Sequence, residues 1–334
     1  MSWNILGHET AVNFLQTHSH PETIRHAYLI TGAEGVGRET LAIAFIKAVN
    51  CLYPPAKGEF CGECLPCRQI EAQAYSDLSI LRVPEGAREL KIEQIRAMQQ
   101  TLALAPYQSR YRIVLIPDFQ RATLGASNAL LKSLEEPPAR AILILTADAR
   151  ESLLETIASR CEVLRLRPMS IDDLTVELQA KHHLTPDEAR KLAQLAGGRV
   201  GTALRFLRDE ELLEKHTNAL DMLEELLKQN LGGRIKQVEK LQRAKGQARE
   251  TYAFLIATWL TFWRDVLICC EASDVPLVNL AQEELIRRAA ANLNPQSVAK
   301  ILKKHEEGLT LLDQYVNPRL ILENLLLKLP RLEA

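Results

Sequence analysis

Cys51, Cys61, Cys64 and Cys67 place four thiols within seventeen residues. The two-residue gaps of Cys61-Gly62-Glu63-Cys64-Leu65-Pro66-Cys67 let neighbouring sulfurs converge on one ion at ~2.3 Å. This spacing predicts a closed, structural Zn²⁺ site. No His or carboxylate stands at matching spacing to leave a position open for a reactive water. A disulfide pair or a redox-active CxxC is the competing use, and the lack of any mark of secretion weighs against both. Cys161, Cys269 and Cys270 lie scattered in apolar sequence and read as small buried side chains.

A second grouping surrounds Gly32-Ala33-Glu34-Gly35-Val36-Gly37-Arg38-Glu39-Thr40. Gly32 and Gly37 match the phosphate-loop pattern G-x-x-x-x-G-K-[ST], between a strand and a helix. The two residues that handle charge do not. Arg38 stands where a lysine ammonium meets the β- and γ-phosphates, and Glu39 where a hydroxyl meets Mg²⁺. Arg38 is a planar fork and not a compact ammonium, Glu39 would face phosphate oxygens, and Thr40 is turned away by ~100°. Farther on, Ile113-Val114-Leu115-Ile116-Pro117-Asp118 reads as a strand ending in a Walker B acid. Phe119 then replaces the glutamate that orients the attacking water, and a benzyl ring accepts no proton. Weak or absent ATP binding is the expectation, although helix N-terminal N–H groups can still hold an anion. Taken singly, such features recur in ordinary α/β proteins; in this order they are far less ambiguous.

The elements that position these groups alternate in type. Ala27 to Thr31, Leu78 to Leu81, Arg112 to Ile116, Ala141 to Thr146 and Glu162 to Leu166 read as short strands buried on both faces. Helical patterns at Arg38 to Cys51, Ile92 to Leu104, Ala126 to Glu135 and Ser152 to Ser159 separate them. The alternation predicts an α/β fold, a parallel sheet covered by helices, with ligands beyond the carboxyl ends of the strands. After Pro168 the strand signal stops. Ile171 to Ala180, Pro186 to Leu195 and Val200 to Leu207 form a small helical region, its second helix opened by Thr185-Pro186-Asp187-Glu188. Longer helices follow at Leu212 to Leu227, Tyr252 to Cys270, Gln282 to Leu293, Ser297 to Leu312 and Pro318 to Leu329. They carry apolar stripes and no catalytic grouping, which points to packing or subunit contact.

At 334 residues and 47% hydrophobic, the chain can fill two or three cores. Its 41 Lys+Arg nearly cancel its 42 Asp+Glu, so no global positive field advertises nucleic acid. The opening Met1-Ser2-Trp3-Asn4 leads into mixed polar sequence without a secretory pattern, and the expected location is cytoplasmic. The apolar run Phe254 to Trp263 is interrupted by Arg264-Asp265 and falls short of a membrane span, so a helix buried among helices is the expectation. Lys303-Lys304-His305-Glu306-Glu307 mixes signs and reads as a solvated helix face.

With these motifs in order, the chain resembles the clamp-loader branch of the AAA+ proteins over essentially its whole length. The resemblance rests on Ile5-Leu6-Gly7-His8-Glu9, His26-Ala27-Tyr28-Leu29-Ile30, the four-cysteine insert, Asn128-Ala129-Leu130-Leu131-Lys132-Ser133-Leu134-Glu135-Glu136-Pro137-Pro138 and Ser159-Arg160-Cys161. The last two are the most specific. The resemblance implies an AAA+ domain over 1–167 with a zinc module at 51–67, a helical lid over 168–209 and a helical collar over 210–334. It further implies a five-subunit ring that loads a sliding clamp on primed DNA, with ATP bound by neighbouring subunits. Motor subunits keep the phosphate-loop lysine and threonine, and the clamp-opening subunit generally lacks the cysteine module and the Ser-Arg-Cys motif. The pattern here is that of the non-hydrolysing subunit, with Gly32, Gly37, Arg38 and Asp118 a vestigial nucleotide site.

Two further assignments depend on the resemblance. Gly201 occupies the place of a lid arginine that contacts nucleotide in active relatives, with Arg199 two positions away. Arg160, on residue type alone a helix-end charge, becomes an arginine finger reaching the γ-phosphate of ATP on a neighbour. Ser159 and Cys161 would fix and underpack its turn. Lys132 and Glu135 read as a solvated helix face. An ATPase with an unusual but active loop and a zinc-dependent nucleic-acid adaptor are the rival functions.

Overall fold

Short aliphatic runs and amphipathic segments become strands and helices in a computed structural model, which describes residues 3–84, 86–243, 248–273, 275–314 and 316–332. Met1 and Ser2, the start of the segment read for a secretory signal, lie outside the described residues. The chain divides into two compact units: Met1–His183 with Gly198–Thr202, and Leu184–Gly197 with Ala203–Ala334.

The first unit is built on five strands, β1 (Ala27–Thr31), β2 (Leu78–Ile80), β3 (Arg112–Ile116), β4 (Ala141–Ala147) and β5 (Glu162–Arg165). They form one parallel sheet in the order β2-β3-β4-β1-β5. Successive side chains point to opposite faces, so Tyr28 and Ile30 enter one core while Ala27 and Leu29 enter the other. Ile113 and Leu115 divide from Val114 and Ile116 in the same way. A sheet buried on both faces explains why these strands read as continuous apolar runs. Its helices are α1 (Glu9–His18), α2 (Arg38–Asn50), α3 (Leu65–Glu71), α4 (Ile92–Leu102), α5 (Leu124–Glu135), α6 (Glu155–Ala158) and α7 (Ile171–His182). Because β3, β4 and β1 are neighbours, the segments leaving their carboxyl ends converge, and these carry Asp118, Asp148 and the glycine loop.

The second unit holds α8 (Pro186–Leu195), most of α9 (Val200–Arg208), α10 (Glu210–Lys228), α11 (Leu231–Arg243), α12 (Ala248–Cys270), α13 (Glu283–Asn292), α14 (Pro295–Asp313) and α15 (Pro318–Leu327). Thr185 caps α8 as its residue type predicts: its hydroxyl accepts from the Glu188 N–H while the Glu188 carboxylate accepts from the Thr185 N–H. α12 is the axis of this unit and packs against α10, α13, α14 and α15. Tyr252, Trp259, Phe262 and Trp263 on it are fully buried. Each such ring removes ~150–250 Å² from water, worth about 4–6 kcal/mol before entropy is subtracted. Residues Arg249–Cys270 are long and apolar enough to cross a membrane by length and composition, but the interrupting Asp265 is itself buried. Its carboxylate accepts the N–H groups of Val278 and Asn279 at 2.9 and 2.8 Å and a guanidinium N–H of Arg264 at 2.8 Å.

Three helices went unread in the sequence. α1 follows His8, which caps it in a left-handed conformation without a side-chain bond and so gives no cap signal. α3 is a short helix of 7 residues, about two turns, inside the cysteine insert. α11 begins Leu231-Gly232-Gly233, whose two glycines are poor helix formers, and is held by a buried residue, Arg234. Its guanidinium donates to the carbonyls of Leu226, Leu326, Leu329 and Pro330, tying together the carboxyl-terminal ends of α10 and α15, where helix carbonyls run short of intrahelical donors. The Ser152 to Ser159 helix is shorter than its pattern, a 3₁₀ turn at Arg150–Ser152 preceding α6.

Candidate functional site

The glycine loop between β1 and α2 has the backbone its residues dictate. Gly35 and Gly37 take φ of 79° and 108°, where a Cβ is strained. At Gly35 a Cβ would also lie 2.1 Å from the Thr202 hydroxyl oxygen. The loop is gripped by protein groups on two sides. The Gly201 N–H donates to Gly35 O at 2.8 Å, and the His8 ring donates from Nε2 to Val36 O at 3.1 Å. Gly201, the position expected to have lost an arginine, sits so close that a Cβ on it would meet Gly35 O at 2.8 Å.

Arg38 does not point out of this loop toward a ligand. It is 8% exposed, and its guanidinium bridges two carboxylates, Nη2 donating to Asp118 Oδ1 at 2.8 Å and Nη1 to Asp148 Oδ1 at 2.7 Å. The other oxygen of Asp148 accepts from the Gln120 amide at 2.9 Å. The Asp118 N–H is anchored on the Thr146 hydroxyl at 3.0 Å. The cation at the expected lysine position, Arg38, and the expected Walker B acid, Asp118, thus satisfy one another. Asp148 was missed in the sequence, where it is one unremarked acid after β4. Glu39 differs from expectation: its carboxylate takes both guanidinium branches of Arg82 instead of facing the loop, because a nearby cation offers it a partner that phosphate cannot. Phe119 is 1% exposed and packs into the core with Ile116 and Leu130, and Thr40 faces solvent.

The four cysteines of the insert converge. Their sulfurs all lie within 4.8 Å of one another, gathered from the end of α2, the Cys61–Cys64 turn and the start of α3. Cys51 and Cys61 Sγ are 3.6 Å apart. A tetrahedron with ~2.3 Å arms has edges of about 3.8 Å, whereas a disulfide needs ~2.05 Å. The donor set therefore fits a Zn²⁺ ion and not a bridge. The N–H groups of Cys64 and Glu63 draw the Cys61 thiol down to about 6, while burial pushes Cys51 and Cys67 up. Thiols so crowded ionise together only around a cation. The insert is pinned to its unit by the Trp3 indole N–H on Gly58 O at 2.9 Å and by the Lys47–Glu71 ion pair.

Arg160 lies just past α6, 37% exposed. Nη1 donates to Thr156 O at 2.8 Å and Nη2 pairs with Glu135 Oε1 at 2.8 Å. Glu135 thus does more than face solvent, while Lys132 is exposed. Ser159 donates to Thr156 O at 3.3 Å, and Cys161 packs on the core with its thiol pushed up to about 12 by burial.

Residues 7–170 match the family model described as DNA polymerase III, delta subunit, and residues 220–331 match DNA polymerase III, delta subunit, C terminal. The chain belongs to the DNA polymerase III clamp-loader family. Within this family it is 28% identical to "DNA polymerase III subunit delta'" of Bacillus subtilis, over 92% of each chain. It is 31% identical to the Pseudomonas aeruginosa subunit delta' over 62% of each chain. Bacillus subtilis subunit tau is 34% identical across 48% of this chain and 28% of its own. A solved gamma subunit-related protein from Thermotoga maritima aligns over 94% of this chain and 97% of its own at 21% identity, with a TM-score of 0.48.

Proposed function

We propose that the chain is a delta-prime-type subunit of a DNA polymerase III clamp loader that neither binds nor hydrolyses ATP productively and supplies Arg160 to a neighbour's ATP. The observation that carries this reading is the Arg38 bridge between Asp118 and Asp148. In a working site the Walker B acid faces Mg²⁺ and the basic residue faces phosphate; here Arg38 is taken up by Asp118 and Asp148 instead. Gly32 and Gly37 keep the loop's shape without its chemistry.

Arg160 supports the second half. Its exposed pair with Glu135 is of a kind worth 0 to about 1 kcal/mol, so exchanging that partner for phosphate oxygens on an adjoining subunit costs little. The reading assigns AAA+, lid and collar roles to 1–167, 168–209 and 210–334. The partners are the motor subunits and the clamp-opening subunit of a five-subunit ring, which acts on the sliding clamp and primed DNA in the cytoplasm. Zn²⁺ held by Cys51, Cys61, Cys64 and Cys67 would serve structurally, closing the insert.

Two measurements test this. The purified chain should show no saturable ATP binding by calorimetry and no steady-state hydrolysis. Ordinary turnover abolished by Asp118→Ala would instead make it an active ATPase. Affinity-tagged chain should be recovered from its native cell with motor and clamp-opening subunits. Recovery without them, coupled to salt-dependent DNA binding by the isolated chain, would favour the adaptor.

A further inference from the structure

The four-cysteine insert and the glycine loop are joined by a short stretch of chain that neither the thiol cluster nor the Arg38 bridge accounts for. Residues 52–60 of the insert hold no helix or strand, and the loop they make is closed at its base by Cys51 and Cys61, whose sulfurs lie 3.6 Å apart. Two residues of that loop hold the amino-terminal segment. The Trp3 indole N–H donates to Gly58 O at 2.9 Å, and the Trp3 ring lies beside Phe60 with centroids 6.2 Å apart. Trp3 is 4% exposed, so the anchor is shielded from water. Gly58 in turn packs backbone to backbone on α1, since a Cβ there would lie 2.5 Å from Gln16 O.

The same segment then reaches the glycine loop, where His8 Nε2 donates to the carbonyl of buried Val36 at 3.1 Å. Little slack separates the two ends. The five residue steps from Trp3 to His8 span at most about 18 Å. Leu6 is buried between them, and Gly7 is wedged against Met169, where a Cβ would meet Cγ at 2.9 Å. Gly7 and His8 take φ of 70° and 63° and turn the segment into α1. A residue with a side chain keeps that left-handed conformation only where its surroundings hold it, and for His8 those are the loop ahead and the anchored segment behind.

We propose that the four-cysteine insert anchors a strap, residues 3–8, that clamps the glycine loop through His8, so that the state of the cysteines sets how firmly the loop is held. Opening the cluster would free residues 52–60, withdraw the Gly58 acceptor from Trp3 and slacken His8 on Val36. This device stands apart from the clamp-loader reading, because it operates in the isolated chain and needs neither ATP nor a neighbour.

Hydrogen exchange read by mass spectrometry on the purified full chain tests it, with Zn²⁺ content measured on the same samples. Trp3→Phe leaves every cysteine in place and removes the indole N–H. It should keep its metal and raise exchange at residues 33–41 about fivefold, the worth of one hydrogen bond, while β1, β3 and β4 keep wild-type protection. Cys64→Ser should raise exchange at 51–67 and at 33–41 together. His8→Asn tolerates the left-handed backbone but is too short to reach Val36, and it should loosen 33–41 without loosening 51–67. His8→Gln, whose amide N–H can take the place of Nε2–H, should restore most of the protection. Wild-type exchange at 33–41 in Trp3→Phe, or in a Cys64→Ser chain whose residues 51–67 have loosened, would overturn the proposal. So would a rise at 33–41 that only follows a rise in the strands, since that is global destabilisation and not a slackened strap.

Discussion

The phosphate-loop end of the first unit and the Arg160 end hold their arginines in opposite ways. Arg38 is 8% exposed and bridges Asp118 and Asp148, which are fixed by Thr146 and Gln120. Arg160 is 37% exposed and rests on one carbonyl and one half-exposed glutamate. A cation desolvated between two acids is committed to the fold, because removing it strands charges in place. A cation held by exposed contacts is available to a ligand, because water and the ligand compete on similar terms. The same residue type thus reads as scaffold at one end and as a candidate functional group at the other.

Substitutions that place the arginines on one stability scale would sharpen or break this contrast. The largest effect should come from Arg234, which serves four carbonyls in the second unit. Arg234→Ala should cost about 3–5 kcal/mol in urea denaturation followed by tryptophan fluorescence, with buried Trp259 and Trp263 as reporters. A loss below 1 kcal/mol would mean that burial is a poor guide to commitment in this chain.

Zinc comes next. The reduced protein should carry one Zn²⁺ by metal analysis, and Cys64→Ser should lower that content and raise hydrogen exchange at residues 51–67 while the strands stay protected. Metal content unaffected by the substitution would remove the site and restore a redox role for the thiols.

Arg38→Ala should destabilise by about 1–3 kcal/mol, less than Arg234→Ala because Asp118 and Asp148 are themselves half-exposed. Restoring the phosphate-loop consensus with Arg38→Lys and Glu39→Thr should not create hydrolysis, since buried Phe119 still supplies no acid. A steady-state assay with measurable turnover would show that the loop alone was limiting. The smallest stability effect should be that of Arg160→Ala, under about 1 kcal/mol by the same denaturation.

Much of this contrast was legible in the sequence. The parallel sheet followed from aliphatic runs alternating with helical patterns, since strands buried on both faces leave that signature. The cysteine cluster followed from spacing, because short gaps force sulfurs together. The fate of Arg38 was not legible. Asp148 lies 110 residues away from it in sequence, and only the strand order that sets β4 beside β1 brings the two together. Arg234 escaped for a related reason, since its carbonyl partners come from the ends of two other helices and no local pattern marks them. His8 and Gly201 likewise meet the loop only through tertiary structure.

The proposed trans role of Arg160 is tested most directly by pre-steady-state ATP hydrolysis and clamp loading in reconstituted complexes carrying wild type, Arg160→Ala or Arg160→Lys, after gel filtration has shown equal assembly. A finger supplied in trans is worth ~10³ or more at its own site. The ATP at the adjoining subunit should therefore persist, while sites with their own fingers turn over normally and the whole-complex loss is smaller. Lysine should rescue little, because an ammonium lacks the planar fork that spans phosphate oxygens. Equal rates from equally assembled wild-type and alanine complexes would contradict the role and leave Arg160 as a charge that closes α6.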